Sequence, residues 1–236
     1  MGTSPSSPAP LGFRDGQLEA LKWIALASMF LDHVGRHLLG HGHHTWIFAL
    51  GRIAFPLFAL VFAANLARGG DRAARAARSA GRLALWCAVS VLPSIWARGE
   101  PALVNVLGTL GLGAVLCWTL ASPASVALRV AVCMAAAIAS SWVEFGLAGV
   151  FLVPTLYLWC AERKGDAALL AGLMFLCTGW LNASFGGAPA MLGTLACLPI
   201  AWGVRSLPVS APRLKLAFYL VYPVHLAVIG ALKTLP

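Results

Sequence analysis

The chain has 236 residues, of which 60% are apolar and only 11% are charged, and its mean hydropathy is +0.82. Soluble domains carry about one quarter charged residues, so this composition excludes an ordinary soluble enzyme or binding domain. The net charge of +9 does not indicate a nucleic-acid partner, because the Lys and Arg residues cluster in short segments between apolar stretches. That pattern is typical of membrane topology.

Residues 1–19 are predicted to form a disordered cytoplasmic tail, since the first ten residues are rich in Ser and Pro and uncharged. They show neither the basic region nor the cleavage site of a signal peptide. Residues 20–236 are predicted to form a single transmembrane domain.

Nine apolar stretches follow, and most approach the length of a membrane crossing. Lipid offers no water to the backbone, so each stretch is expected to be a helix. The predicted spans are 20–39, 45–67, 80–97, 103–121, 124–141, 145–161, 167–183, 188–205 and 214–233. The expected fold is therefore all-α, a polytopic integral membrane helical bundle with about nine transmembrane helices.

The densest basic cluster lies between the second and third spans. Its arginines are Arg68, Arg72, Arg75, Arg78 and Arg82. Cytoplasmic loops carry an excess of Lys and Arg, so this loop is predicted to face the cytoplasm. Alternation along the chain then places the N-terminus and Lys22 in the cytoplasm and the C-terminus in the periplasm.

The outer half of the first span carries ionisable residues that lipid tolerates poorly, namely Asp32, His33, Arg36 and His37. Each is a functional candidate, because such groups normally face a protein interior. Helical spacing pairs Asp32 with Arg36 and His33 with His37. An Asp32–Arg36 ion pair that only allows the helix to insert explains the first pair equally well.

Arg52, in the second span, lies at about the depth of Asp32 and can neutralise it across helices. Pro56 follows and removes one backbone hydrogen bond, which predicts a kink beside Arg52. The kink either opens room for a ligand or is purely structural.

The last span carries Tyr222 and His225, three residues apart and therefore on one helical face. A single membrane His can simply bond a neighbouring helix. Two imidazoles, His33 and His225, in the first and last spans favour a shared site instead. The HGHH segment at 41–44 lacks an ordered carboxylate or Cys partner, so no metal site is predicted.

Several segments resemble the TraX family of pilin acetylases, in order along nearly the whole chain. They are LxxMFLDHVG at 26–35, GRIAFPLFALVFAANLAR at 51–68, NVL at 105–107, FGLAGV at 145–150 and FYLVYPVHLAVIGAL at 218–232. The spacing of Lys22 and His33 is also similar to an Arg/Lys-x10-His signature of larger membrane acyltransferases.

This resemblance implies an acetyltransferase of the bacterial inner membrane that moves an acetyl group from acetyl-coenzyme A to the amino-terminal amine of a conjugative pilin. A small membrane pilin and membrane lipid are then its partners. His33 is the expected general base, because imidazole accepts protons near neutral pH. The other expected catalytic residues are His225, Asp32 and Tyr222.

The coenzyme is expected to bind basic and polar groups and to reach His33 through a narrow tunnel. The residues expected to hold it are Arg82, Arg78, Lys22, Arg52 and Asn105. Those expected to organise the acceptor are Arg36, Arg52 and His37.

Other readings stay open at this stage. The chain could acylate a glycan or a lipid headgroup, or it could be a transporter that uses buried His and Asp residues as a proton relay. A non-catalytic partner in pilin assembly is a third alternative. Direct transfer and an acetyl-histidine intermediate are also both open.

Overall fold

The computed structural model describes residues 10–99, 103–209, 211–213 and 217–235, and every regular element in these ranges is helical. The main helices are α1 Asp15–His33, α2 Trp46–Gly51, α3 Ala54–Leu66, α4 Arg72–Arg98, α5 Val106–Ala121, α6 Val126–Ala139, α7 Gly146–Glu162, α8 Gly165–Ser206 and α9 Ala217–Thr234. The predicted all-α class is confirmed.

Four described helices are long and apolar enough to cross a membrane. They are Trp46–Leu66, which combines α2 and α3, and Arg72–Arg98, Gly165–Ser206 and Ala217–Thr234. Three further apolar helices are shorter. The expected count of about nine transmembrane helices is therefore not confirmed, although helix overlaps every predicted span within the described residues.

α8 consists of two helical arms that form a hairpin. Gly187 interrupts it with a φ of 68° and a ψ of −163°. Asn182 precedes Gly187 and Thr194 follows it, yet Asn182 Nδ2 donates to Thr194 Oγ1 at 2.8 Å. Twelve residues of straight helix would span about 18 Å, so the chain reverses at Gly187. The two arms correspond to the predicted spans 167–183 and 188–205.

The predicted kink near Pro56 is confirmed as a break between α2 and α3. The helix is interrupted at Arg52 and Ile53. Pro56 has no N–H to donate to the carbonyl group of Arg52, four residues earlier, and this lost bond favours a break there. The break places Arg52 at the junction of the two helices.

The first helix begins earlier than the predicted end of the tail at residue 19, since α1 starts at Asp15. Gln17 is 2% exposed, and its Nε2 donates to the carbonyl oxygens of Arg205 and Leu207 at 2.8 and 2.9 Å. This amide satisfies backbone groups at the end of α8, which ties residues 15–19 to the bundle. Residues 1–9 lie outside the described residues.

Charged side chains gather at the two ends of the bundle. At the arginine end, Arg68 Nη2 contacts Asp15 Oδ1 at 2.6 Å. The opposite end, near His33 and His37, is called the histidine end. There, Arg98 Nη1 contacts Glu144 Oε1 at 2.9 Å. The alternating direction of the predicted spans also places Asp15 and Arg68 at one end and Arg98 and Glu144 at the other. Which end faces the cytoplasm stays a prediction.

Candidate active site

Two histidines from the first and last helices meet near the histidine end. His33 Nδ1 lies 2.7 Å from His225 Nε2, and the two rings are nearly parallel, with an interplanar angle of 3°. His225 Nδ1 in turn lies 2.9 Å from the carbonyl oxygen of Val221. The structure thus brings together the two imidazoles that the sequence assigned to one site.

The carbonyl group of Val221 determines the tautomers of both rings, because a carbonyl oxygen only accepts hydrogen bonds. His225 Nδ1 must carry the hydrogen and donate it. In a neutral ring, His225 Nε2 is then an acceptor, so His33 Nδ1–H donates to it. This chain of bonds leaves Nε2 of a neutral His33 with a free lone pair, which is the atom that can take up a proton.

His33 lines a cavity of about 520 Å³ that also includes Arg36, His37, Arg52 and Tyr222. Much of the remaining wall is apolar or aromatic. The volume lies within the range of small-molecule sites, about 300–1,000 Å³. The Tyr222 ring centroid is 6.3 Å from that of His33 and 5.5 Å from that of His225. Tyr222, Arg36 and His37 therefore share the cavity with His33, as the sequence predicted, whereas His225 contacts His33 but does not itself line this cavity.

Asp32 is buried beside His33 and attracts two arginines. Arg52 Nη2 donates to Asp32 Oδ2, and Arg36 Nη1 lies 3.9 Å from the same oxygen. The guanidinium of Arg52 is also held by the Phe48 carbonyl oxygen at 3.4 Å and lies 4.1 Å from the Phe48 ring centroid. The two predicted ways of neutralising Asp32 therefore occur together, with Arg52 as the direct partner.

Small backbone features hold these side chains close. A Cβ on Gly51 would lie only 2.4 Å from Asp32 Cβ, so only glycine permits this approach of α1 and α2. Directly after His33, the residues Val34–Leu38 form a π-helical turn. Such turns are frequent at functional sites, because they re-aim side chains at the point where the helix widens.

A second ion pair in the cavity wall, between Arg98 and Glu144, was not predicted from the sequence. Arg98 Nε also donates to Ser94 Oγ at 3.0 Å. Burial raises the pKa of Glu144, which lies in the loop before α7, and the strongest opposing influence is Arg98. Both residues lie next to apolar spans on the predicted outer side, and this shared location is the feature of the sequence from which the pair could have been predicted. Asn182 of α8 also lines the cavity, and no sequence signal marked it.

Of the basic residues predicted to bind the coenzyme, Arg52 lines the cavity and the other three lie elsewhere. Arg78 and Arg82 are exposed on α4, and Lys22 Nζ contacts Glu19 Oε2 at 2.6 Å. None of these three lines the cavity, which reaches inward to Met29 and Phe58. Arg82 and Ser94, on one helix, are separated by about 18 Å along its axis. The cavity therefore does not contain the expected tunnel to the arginine end.

Asn105 has a structural role in the described residues. Its Nδ2 donates to the Cys87 carbonyl oxygen at 3.0 Å, and its Oδ1 accepts from Leu107 N at 3.1 Å. The side chain thus caps α5 and ties it to α4. Because the start of α5 lies at the histidine end, the structure does not bring Asn105 together with Arg78 and Arg82.

Within the described residues, no group of three or more His, Cys, Asp or Glu is placed to hold a metal ion.

Membrane-length helices that enclose a histidine pair and a charged cavity define this chain as a helical membrane protein with a candidate proton-transfer site. Its sequence matches the TraX protein family over residues 17–233, and the chain belongs to this family. The chain is 29% identical to Protein TraX of Escherichia coli over 222 residues. This alignment covers 92% of this chain and 87% of that relative. The identity to Protein TraX of Escherichia coli strain K12 is 30% over 225 residues, with the same coverage of both chains. No solved structure matches the chain.

Proposed function

We propose that this protein is an acetyltransferase of the inner membrane that moves an acetyl group from acetyl-coenzyme A to the amino-terminal amine of a pilin subunit. The observation that carries the proposal is the His33–His225 pair, because its hydrogen bonds leave one basic nitrogen beside a cavity of about 520 Å³. Membership of the TraX family supports the same reaction.

In the proposed reaction, Nε2 of His33 takes a proton from the ammonium group of the acceptor. The neutral amine attacks the thioester carbonyl carbon and forms a tetrahedral intermediate. As the intermediate collapses, the new amide C–N bond remains and the C–S bond breaks. Coenzyme A leaves as a thiolate, which takes the proton held by His33. The attacking nitrogen carries one proton more than the amide, and it releases this proton to water as the intermediate collapses, so the products are the amide, the thiol of coenzyme A and one H+.

The neighbouring groups have supporting roles in this proposal. His225 holds the His33 ring by accepting from its Nδ1–H. The hydroxyl group of Tyr222, whose ring centroid is 6.3 Å from that of His33, is the candidate donor to the oxyanion. Asp32 keeps Arg36 and Arg52 beside the base.

The arginine end is the proposed binding place for the phosphate groups of acetyl-coenzyme A, and we place it on the cytoplasmic side. Arg68 is paired with Asp15, and Arg75 donates to the carbonyl groups of Leu66, Arg68 and Gly69. By contrast, Arg78 and Arg82 are exposed, and no carboxylate among the described residues is paired with either. Guanidinium groups of this kind suit phosphate oxygens.

Access from that end requires an opening along α4, because the cavity does not reach Arg82. The acceptor amine is proposed to enter from the histidine end, on the periplasmic side. Donor and acceptor then approach His33 from opposite faces of the membrane.

The test is the intact mass of the pilin that accompanies this protein, co-expressed with it or with an empty vector. Acetylation adds about 42 Da to the pilin amine, and tandem mass spectrometry places the added mass on the first residue. An unmodified pilin would contradict the proposal. Proton flux into proteoliposomes without any acetyl transfer would favour the transporter alternative.

A further inference from the structure

We propose that Arg36 forms an anion-binding subsite in the cavity, which recognises a carboxylate side chain next to the amino terminus of the acceptor peptide. That the acceptor is a peptide rests on the proposed function, whereas the subsite itself rests on the charges in the cavity wall.

The cavity wall carries more cations than anions. Its arginines are Arg36, Arg52 and Arg98, and its carboxylates are Asp32 and Glu144. Each carboxylate has one arginine in direct contact, Arg52 on Asp32 and Arg98 on Glu144. The third guanidinium, that of Arg36, has no carboxylate of its own and only shares Asp32 with Arg52 at a longer distance.

Of the three arginines in the cavity wall, Arg36 has the weakest contacts within the protein. Its Nη1 lies 3.9 Å from Asp32 Oδ2, beyond hydrogen-bond distance, and that oxygen is already occupied by Arg52. No hydrogen bond joins the Arg36 side chain to another residue in the described part of the chain. Its side chain keeps 30% of its surface exposed, and its guanidinium carbon lies 5.5 Å from the Phe48 ring centroid.

This arrangement favours an anionic ligand. A positive charge without a full partner is unfavourable in a site walled by apolar and aromatic side chains. A planar guanidinium offers paired N–H donors that fit the two oxygens of a carboxylate. Arg36 follows His33 by three residues, so the two side chains start about 5–6 Å apart on neighbouring positions of the helix.

That spacing suits an acceptor whose anionic group lies one residue beyond the reacting amine. An acidic side chain at the second position of a peptide would pair with Arg36 while the amine lies at His33. The excess positive charge of the wall also disfavours the ammonium form of the acceptor, which helps to supply the neutral amine that attacks.

The test measures peptide binding to the purified, detergent-solubilised protein and needs no acetyl transfer. The probes are the amidated tripeptides Ala-Glu-Ala and Ala-Gln-Ala, which differ only in the charge at the second position. We expect the wild type to bind the Glu peptide about tenfold more tightly or better, as for a charge-assisted hydrogen bond. Arg36→Gln should remove this preference, and Arg36→Lys should retain part of it.

The matched control is Lys164→Gln, which removes one positive charge from the arginine end, where the side chain is 67% exposed. This variant should keep the full preference for the Glu peptide. A similar affinity of the wild type for both peptides would overturn the inference. So would tighter, Arg36-dependent binding of glycerophosphoethanolamine, because that result would assign the subsite to a lipid headgroup.

The outcome is separable from that of the acetylation test. If the pilin proves unmodified while the Glu preference persists and depends on Arg36, the subsite stands and the proposed reaction fails. If the pilin is acetylated while the two peptides bind equally, the reaction stands and the subsite fails. Thermal unfolding of Arg36→Gln alongside the wild type checks that the variant is folded.

Discussion

The two ends of the bundle carry the same kinds of charged side chain but use them differently. At the arginine end, the Arg68 and Asp15 side chains are 24% and 42% exposed, and Arg75 closes a turn by bonding backbone carbonyl groups. At the histidine end, the paired side chains of Arg52 and Asp32 are only 10% and 6% exposed and line a cavity. Charge density therefore marks the ends of helices, whereas buried charge beside a cavity marks the candidate site.

The largest expected effect tests whether the histidine end is the reactive one. His33→Ala removes the proposed base and should reduce pilin acetylation about 10²–10⁴-fold. The matched control is His44→Ala, since His44 is an exposed imidazole of the neighbouring loop and does not line the cavity. Intact-mass time courses of the pilin, at equal amounts of each variant in the membrane, give the comparison.

His225→Ala refines the same test. It removes the acceptor of the His33 Nδ1–H bond and should lower the rate less than His33→Ala does. Equal acetylation by His33→Ala and the wild type would remove His33 from the mechanism and with it the functional distinction between the two ends.

The second prediction concerns stability. Asp32→Asn leaves the buried guanidinium of Arg52 without its counter-charge, and breaking a buried ion pair typically costs about 3–5 kcal/mol. Asp15→Asn breaks the more exposed pair with Arg68, and such pairs contribute about 0–1 kcal/mol. Thermal unfolding of both variants in the same detergent should therefore show a much lower midpoint for Asp32→Asn. Similar midpoints would show that the two ends do not differ in this respect.

The smallest effect tests close packing at the histidine end. Gly51→Ala places a Cβ 2.4 Å from Asp32 Cβ, and such overpacking typically costs about 1–3 kcal/mol. Gly203→Ala, in the arm of α8 that leads to the arginine end, meets no atom within 4 Å. It should be neutral or slightly stabilising, because Ala favours helix more than Gly does. A Gly51→Ala variant as stable as Gly203→Ala would contradict the described contact between α1 and α2.

Sequence reasoning identified most of the candidate site from isolated ionisable residues in apolar helices. His33, Arg36, His37, Arg52 and Tyr222 all line one cavity. The coenzyme residues stay a prediction, because a basic residue near a helix end can bind a ligand, pair with a carboxylate or bond the backbone. Lys22 and Asn105 are both engaged within the protein, and only the contacts show it.

The sequence by itself determined the fold class, the positions of the helices and the grouping of the loops at two ends. These follow from local physics, since backbone groups in lipid must bond within their own segment and charged residues must gather where helices end. The count of full membrane crossings did not follow, because short apolar helices and long ones look alike in composition.

Only the tertiary structure decided which side chains meet. His33 and His225 are 192 positions apart in the chain, and their contact depends on α1 and α9 packing side by side. The sharing of Asp32 by two arginines, and the pairing of Arg98 with Glu144, likewise depend on helix approach and side-chain reach. Spacing within one helix shows which residues share a face, but only the packing of several helices can form the cavity between those faces.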